Sequence, residues 1–574
     1  MAPKKRKKKK LSAEERKNRR IKNAHIRSAR SIFRNMGFER VVEIAEVEIE
    51  ITGQAGEFDD AFLYENILLL LEYTTSQSSD VTDHAKKKKI LFSKIAANQK
   101  AFLAYLREKS STFDKRLGDS FHEDKYIVKI VYCSLNHVPD TLKNNVDEPI
   151  YLDFPFLKYF EKLASIVKVS AMNEMLDFLQ IDPANVAKNG IFPKKSQSAT
   201  YDGSILPESA SGFPSGYRVV SFYADAAALL SRTYVLRRDG WRGSYQAYQR
   251  MLQGPKIEAI RKTLKAEKRV FVNNLIATLP SDVYPELPNG KTADITQLSS
   301  TEAVKIRLPL RANSIGLIDG QHRLYSYYES KEDDPKIAKL RHQQNLLVTG
   351  IIYPEGTPTA DAERFAATLF LSINANQTKA PTPLRQEIEV FLSPYSPTAI
   401  GRQIMQRLAK TGPLAGHVEN YFFDKGKLRT SSIVSYGLGP LIKLGGEDSL
   451  FKLFVHPEKE QIAGGNSEQG REAYLQFATS AINAFLSAVK ANVDGARWTP
   501  DAKVKDRLLA VTYVNSFLIT LRLLIQAGHK IDFESLKIAL HGLNDFEFKS
   551  YHSSQYARMA EQIYQKHFKA PAFA

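Results

Sequence analysis

The sequence predicts a multidomain protein of mixed α/β and α+β character that ends in a helical region. Three observations carry this expectation. A chain of 574 residues is too long for one hydrophobic core, because single cores stop growing at about 250–300 residues. Strand-length apolar runs alternate with helical spacing through the amino-terminal and central parts. From about residue 399 onward, nearly every apolar pattern has the 3.6-residue period. The expected organisation is a disordered basic tail over 1–11, an amino-terminal domain over 12–190 and a linker over 191–216. A central domain over 217–400 and a helical region over 401–574 follow.

The amino terminus is defined by charge. The chain carries a net +18, and residues 1–40 hold sixteen Lys or Arg against three Glu, so +13 of it lies there. Lys4, Lys5, Arg6 and Lys7 open a run that repels itself and should stay disordered. Ser12-Ala-Glu-Glu15 then reads as a helix start with acids in its first turn. The helix expected over 13–36 carries Arg16, Arg19, Arg20, Arg27, Arg30 and Arg34. Such an arm suits phosphate binding by counterion release, with DNA as partner; a solubilising tail is the simpler alternative. Pro3-Lys-Lys-Arg-Lys7 also resembles a nuclear import signal.

After an expected strand over 41–51, two apolar runs flank Glu65-Asn66, the signature of a hairpin with a two-residue turn. Paired positions then sum to 131, which sets Asp59 opposite Glu72. Facing carboxylates repel unless a cation lies between them, and a hard ion such as Mg²⁺ or Mn²⁺ meets that need. An ordinary exposed hairpin with two acids is the bland alternative. Asp59, Glu72 and the preceding basic helix resemble the PD-(D/E)xK nuclease superfamily. That resemblance implies a restriction-endonuclease-like domain in which the two acids bind metal and activate water for DNA cleavage. The chain departs from the pattern at Thr74, where a lysine belongs. Lys86, or another of the four lysines 86–89, would have to reach back from the next helix, or the domain would be an inactive DNA-binding relic.

Helical spacing over 90–109, a buried-type strand over 126–133 and a further helix over 158–179 complete the amino-terminal domain. Residues 189–216, rich in Ser, Gly and Pro, read as the linker. The central domain is expected as a strand over 217–223, a helix over 225–231, helical spacing over 243–266 broken at Gly254-Pro255, and extended segments over 270–279 and 303–308. Next comes Ile315-Gly-Leu-Ile-Asp319-Gly320-Gln321-His322-Arg323-Leu324, a buried strand that ends in Asp-Gly, with a helix expected to run on to about residue 329. Free N–H groups at such a turn bind anions, Gly320 permits close approach, and His322 and Arg323 can add donors. Asp319 can orient His322, hold a metal, position a water or only cap the helix. A strand over 346–353 and a helix over 361–371 close the pattern. Asn374 and Gln377 can hydrogen-bond a base edge or simply form a turn. No Walker-type phosphate loop is present.

The letters DGQHR resemble the motif of the DGQHR-domain family. The flanking blocks Tyr234-Val-Leu-Arg-Arg238, Tyr248-Gln-Arg-Met251, Phe271-Val-Asn-Asn274-Leu-Ile-Ala and Phe370-Leu-Ser-Ile-Asn-Ala-Asn-Gln377-Thr-Lys379 extend the likeness over roughly residues 213–400. The resemblance implies a ParB/sulfiredoxin-like fold in which Gly320, Gln321, His322 and Arg323 hold nucleotide phosphates, ATP or another triphosphate. DndB-like members of the family accompany DNA-modification systems. The expected function is therefore a DNA-directed protein of a modification or anti-phage defence system. Its amino-terminal domain would cleave DNA, under control of a nucleotide-binding or hydrolysing DGQHR domain. A non-cleaving DndB-like transcriptional regulator and a DNA-stimulated nucleotide hydrolase are the alternatives.

In the carboxy-terminal third, helices are expected over 399–408, 472–491, 504–527 and 555–568, and 511–521 is apolar nearly all round, as a core helix should be. One cysteine, Cys133, excludes a disulfide framework and a cysteine zinc cluster. No apolar run reaches the ~18–20 residues of a membrane span. A cytoplasmic, nucleoid-associated protein is expected, nuclear if the source is eukaryotic, with a homo-oligomer or modification-system proteins as further partners.

Overall fold

A computed structural model describes residues 12–76, 78–186, 199–237, 240–242, 249–377, 382–419, 421 and 423–569. Lys4, Lys5, Arg6, Lys7 and Lys379 lie outside them. The chain forms two compact units, residues 1–362 and 363–574.

The first unit begins with α1 (Ala13–Asn35), started by the expected capping box: Ser12 Oγ accepts from the Glu15 N–H and Glu15 accepts from the Ser12 N–H. Its inner face, Ala29, Ile32 and Phe33, is buried. Of the expected strand over 41–51 only β2 (Ile49–Ile51) forms, pairing with β3 (Gln54–Gly56), while β1 (Glu39–Arg40) lies just before the expected span. Turn backbone between β1 and β2, with Glu46 at φ 57°, interrupts the run. β4 (Asp60–Tyr64) and β5 (Ile67–Thr74) form the expected hairpin, and Asp60↔Leu71 through Tyr64↔Ile67 all sum to 131. Alternation and a two-residue turn determine register, because a slip of one residue would turn every apolar side chain to the wrong face.

The helical run after β5 is split. α2 (Ser78–Ala97) ends at Asn98, whose side chain caps α3 (Gln99–Lys109), and α4 (Ser111–Leu117) follows. These helices carry the chain over to β6 (Ile127–Ser134), parallel to β5. After α5 (Asp140–Asn145), β7 (Ile150–Leu152) completes a five-stranded sheet in the order β1-β4-β5-β6-β7. Central β5 is buried along its whole length, as a strand covered on both faces must be. Leu68 and Leu70 pack with Phe92, Phe102 and Leu103 of the crossover helices. On the other face, the Phe33 ring of α1 packs at 5.3 Å from Phe62, tilted by 35°. α6 (Phe156–Val167) and α7 (Met172–Phe178) replace the single helix expected over 158–179.

The expected linker is not a linker throughout. β8 (Thr200–Ile205) pairs with two strands of the central sheet, and α8 (Glu208–Ser211) follows it. Next come β9 (Arg218–Asp225), α9 (Ala226–Arg232), β10 (Thr233–Tyr234), α10 (Gly254–Glu267), β11 (Leu275–Leu279), β12 (Glu302–Arg307), β13 (Ile315–Asp319), α11 (Gln321–Tyr325), α12 (Pro335–Gln343) and β14 (Asn345–Ile352). The seven strands are ordered β10-β13-β11-β14-β9-β8-β12, with parallel and antiparallel pairs mixed. The motif helix α11 stops at Tyr325, short of the expected residue 329. The helix Thr359–Gln377 runs further than expected, so Asn374 and Gln377 lie in its closing turns rather than in a loop after it; their side chains are outside the described residues.

The second unit is helical. Its helices include Pro397–Leu408, Glu468–Ala491, Val511–Gln526 and Tyr556–Phe568. Val514 through Leu521 are all buried. Among the described residues, no helix is long and apolar enough to cross a membrane.

Candidate metal centre and the DGQHR turn

The two predicted acids meet at the end of the first sheet. Asp59 immediately precedes β4, and its Oδ2 accepts the Tyr73 N–H at 2.8 Å. Glu72, on β5, is fully buried. The lysine that reaches it is Lys88, not Lys86, which is exposed. Lys88 Nζ lies 2.5 Å from Glu72 Oε1 and donates to the Glu57 carbonyl at 2.7 Å. Four consecutive lysines point in four directions around α2, and only the packing of that helix on β5 selects among them. Glu72 Oε2 is buried without a hydrogen-bond partner. Burial pushes the Glu72 carboxyl up to about 8; Lys88 opposes the shift, and Asp59 and Glu57 add to it.

The neighbouring acid, Asp60, does something else. It faces the opposite side of the sheet, where Arg30 of α1 and Arg40 of β1 each lie 2.5 Å from one of its oxygens, and Tyr73 Oη donates at 3.1 Å. This clamp ties α1 to the hairpin. The sequence signal for it was the pair of adjacent acids, since successive strand residues point to opposite faces. At the same end of the sheet, His25 of α1 contacts the Cys133 carbonyl at 3.0 Å and meets the Tyr73 ring edge-on at 6.0 Å. Burial lowers the His25 pKa.

In the central domain the turn has the expected backbone and unexpected side-chain commitments. Gly320 has φ 99°, a conformation that glycine alone adopts readily. A Cβ there would collide with the Leu275 side chain and come within 3.1 Å of Arg323 Nη2, so the space is filled by the protein itself. Gln321 donates to the Arg250 carbonyl at 3.1 Å and accepts from Arg237 Nε at 3.3 Å. His322 Nε2 accepts the Gln253 N–H at 3.2 Å, at the start of α10. Burial first, then Lys256, Arg237 and Arg323, hold its pKa down at about 4. The ring is therefore neutral at neutral pH, with Nε2 committed as an acceptor and the proton on Nδ1. Arg323 Nη2 donates to the Asn274 carbonyl at 2.8 Å and lies 3.0 Å from Asp319 Oδ2, while its Nε has no partner.

Sequence reading missed Arg237. Its guanidinium is buried, paired with Glu174 of α7 at 2.7 Å, bonded to Gln321 of the motif and set 5.0 Å from the Tyr325 ring. Tyr159 of α6 donates to the same Glu174. The DGQHR turn and the helices that follow the first sheet are thus joined through one buried charge pair. A buried cation needs a paired anion; here Glu174 supplies it and Gln321 a further acceptor, while Arg237 Nη2 has no partner among the described residues. Arg19, Arg20, Arg16 and Arg27 are all exposed on α1. Comparison with known proteins returns no matching family model, no matching curated protein and no matching solved structure.

Proposed function

We propose that this chain is a DNA-binding, divalent-metal-dependent nuclease whose cleaving centre is Asp59, Glu72 and Lys88, in a restriction-endonuclease-like domain. The observation that carries this reading is Glu72: a buried carboxylate, opposed by Asp59, with one oxygen on Lys88 and the other unpartnered. A buried carboxyl whose ionisation burial opposes, and whose second oxygen has no partner, is what a carboxylate ligand looks like without its cation. Among the described residues no three His, Cys, Asp or Glu side chains gather as a ligand set. A Mg²⁺ or Mn²⁺ ion would therefore rest on two carboxylates, with waters and backbone oxygens making up the remainder, as hard cations accept. When bound, such an ion supplies charge stabilisation and a bound water of lowered pKa.

The protein's own residues divide the remaining work. Asp59 is oriented by the Tyr73 N–H, so its free oxygen keeps a fixed direction. Lys88 offsets the charge of Glu72 and, held also by the Glu57 carbonyl, keeps a cation beside the pair. From that position it serves the part of the superfamily lysine that Thr74 cannot serve: binding the scissile phosphate and orienting the attacking water. Plasmid incubated with Mg²⁺ or Mn²⁺ tests this. Wild type should nick or linearise it, while Asp59→Ala, Glu72→Ala and Lys88→Ala should each lower the rate at least a hundredfold and Lys86→Ala should not. No cleavage by wild type, or no loss in the acid variants, ends the proposal.

For the DGQHR turn the side chains do not fit a nucleotide site. The space over Gly320 is filled, and Gln321 and His322 are bonded internally. No nucleotide step is derived. The turn is better read as a control element resembling DndB-like DGQHR domains, coupled through Arg237 to the cleaving domain, with DNA of a modification or defence setting as the target.

A further inference from the structure

We propose that α1 reads duplex DNA in the major groove, using a stripe of Arg16, Arg20, Asn23 and Arg27 that extends beyond the acid-bearing end of the first sheet. This deepens, and rests on, the reading of the chain as DNA-binding.

Position comes first. Phe33 of α1 packs on Phe62, which pairs with Leu69, and eight residues earlier His25 packs on Tyr73. Eight helical residues span about 12 Å and four strand residues about 13 Å, so α1 runs antiparallel to β5. Residues 13–24 therefore project past the end of β5 where Asp59 and Glu72 lie. Every residue from 12 to 24 is exposed, and burial starts only at His25. The projecting segment is about 18 Å long, which matches about five base pairs. An unpacked helical segment of this size is marginal alone; here the capping box and the anchored half support it.

Side-chain direction comes second. At 100° per residue, Arg16, Arg20, Asn23 and Arg27 fall within about 60° of one another, on the side opposite the buried residues His25, Ala29 and Ile32. Lys17 and Arg19 fall about 80° to either side of that stripe. A helix is about 10–12 Å across with its side chains, and the major groove of B-DNA is about 12 Å wide. The central stripe would then face the groove floor, where Arg reads guanine and Asn reads adenine through paired hydrogen bonds. Lys17 and Arg19 would reach the phosphate walls. The projecting half offers only Ala13, Ile21 and Ala24 as apolar residues, so it has no face for a membrane surface. Duplex RNA presents a major groove too deep and narrow for a helix.

The test is selection from a random duplex DNA pool by the full chain in EDTA, followed by anisotropy titrations. Wild type should enrich a short motif and bind it at least tenfold better than the same sequence as single strand or duplex RNA. Arg20→Ala and Asn23→Ala should each lower that affinity about tenfold and erase the preference. Arg20→Lys should restore the salt dependence but not the preference, because lysine lacks the paired donors. No enriched motif, equal binding of single strand or duplex RNA, or full rescue by Arg20→Lys overturns the inference. Helix content by circular dichroism confirms that the exposed substitutions leave α1 intact. Binding without metal is independent of cleavage, so a failed nuclease with an enriched motif removes only the cleaving centre. Cleavage without a motif removes only the groove reading.

Discussion

At Glu72, burial outweighs the attraction of Lys88. A carboxyl near 8 in the folded state and near 4.5 when unfolded takes up a proton on folding between those values, so its contribution to metal-free stability is fully present below pH 4.5 and is lost as pH rises through about 8. Glu72→Gln should therefore raise the metal-free melting temperature at pH 8.5, and Mg²⁺ should stabilise wild type but not this variant. Scanning calorimetry at pH 5 and 8.5 reads both effects. At subsaturating Mg²⁺, cleavage should rise with pH, because proton and cation compete for the same carboxylate. His322 has the opposite sign: its pKa is held down at about 4, so it contributes stability that is lost as pH falls from 6.5 through 4. The facing of Asp59 and Glu72 was legible because alternation and a two-residue turn set register locally. The choice of Lys88 was not, because it depends on how α2 lies across β5.

Among the elements, the strand–Asp-Gly–helix junction was legible as backbone, while the internal bonds of its side chains were not. The left-handed Gly320 and the helix after it follow from local preference, but Leu275, Gln253 and Arg250, which occupy its side chains, come from other segments. Gly320→Ala should cost roughly 1–3 kcal/mol from overpacking against Leu275 and the unfavourable φ, measured by urea unfolding. β8 was missed because Thr200-Tyr-Asp-Gly-Ser-Ile205 carries turn residues; its six-residue pairing with β12 overrides their propensity. Asn98 divides α2 from α3 through a cap bond that helical spacing alone does not reveal.

Over the whole molecule, the largest share of the net charge lies in residues 1–11, outside the described residues, and α1 adds to it. Deleting residues 1–11 removes seven cations and should flatten the salt dependence of DNA binding by up to about six units of slope while leaving any selected motif unchanged. An unchanged slope would assign DNA contact to α1 alone. Pattern reading suggested an amino-terminal, a central and a carboxy-terminal part, and it could not see that the first two share one compact unit. Arg237 is one of the ties between them, with Arg242–Asp177 and the bonds of Asn173 and Ser170. Its partner Glu174 belongs to the first pattern and Gln321 to the second, and removing the guanidinium alone would leave Glu174 buried without its cation, at a cost of about 3–5 kcal/mol. The consequence is one of cooperativity. Residues 1–362 should melt in a single calorimetric transition, so the chain has two thermal steps rather than three. Arg237→Ala should split the first step, letting the motif domain unfold while the five-stranded sheet remains.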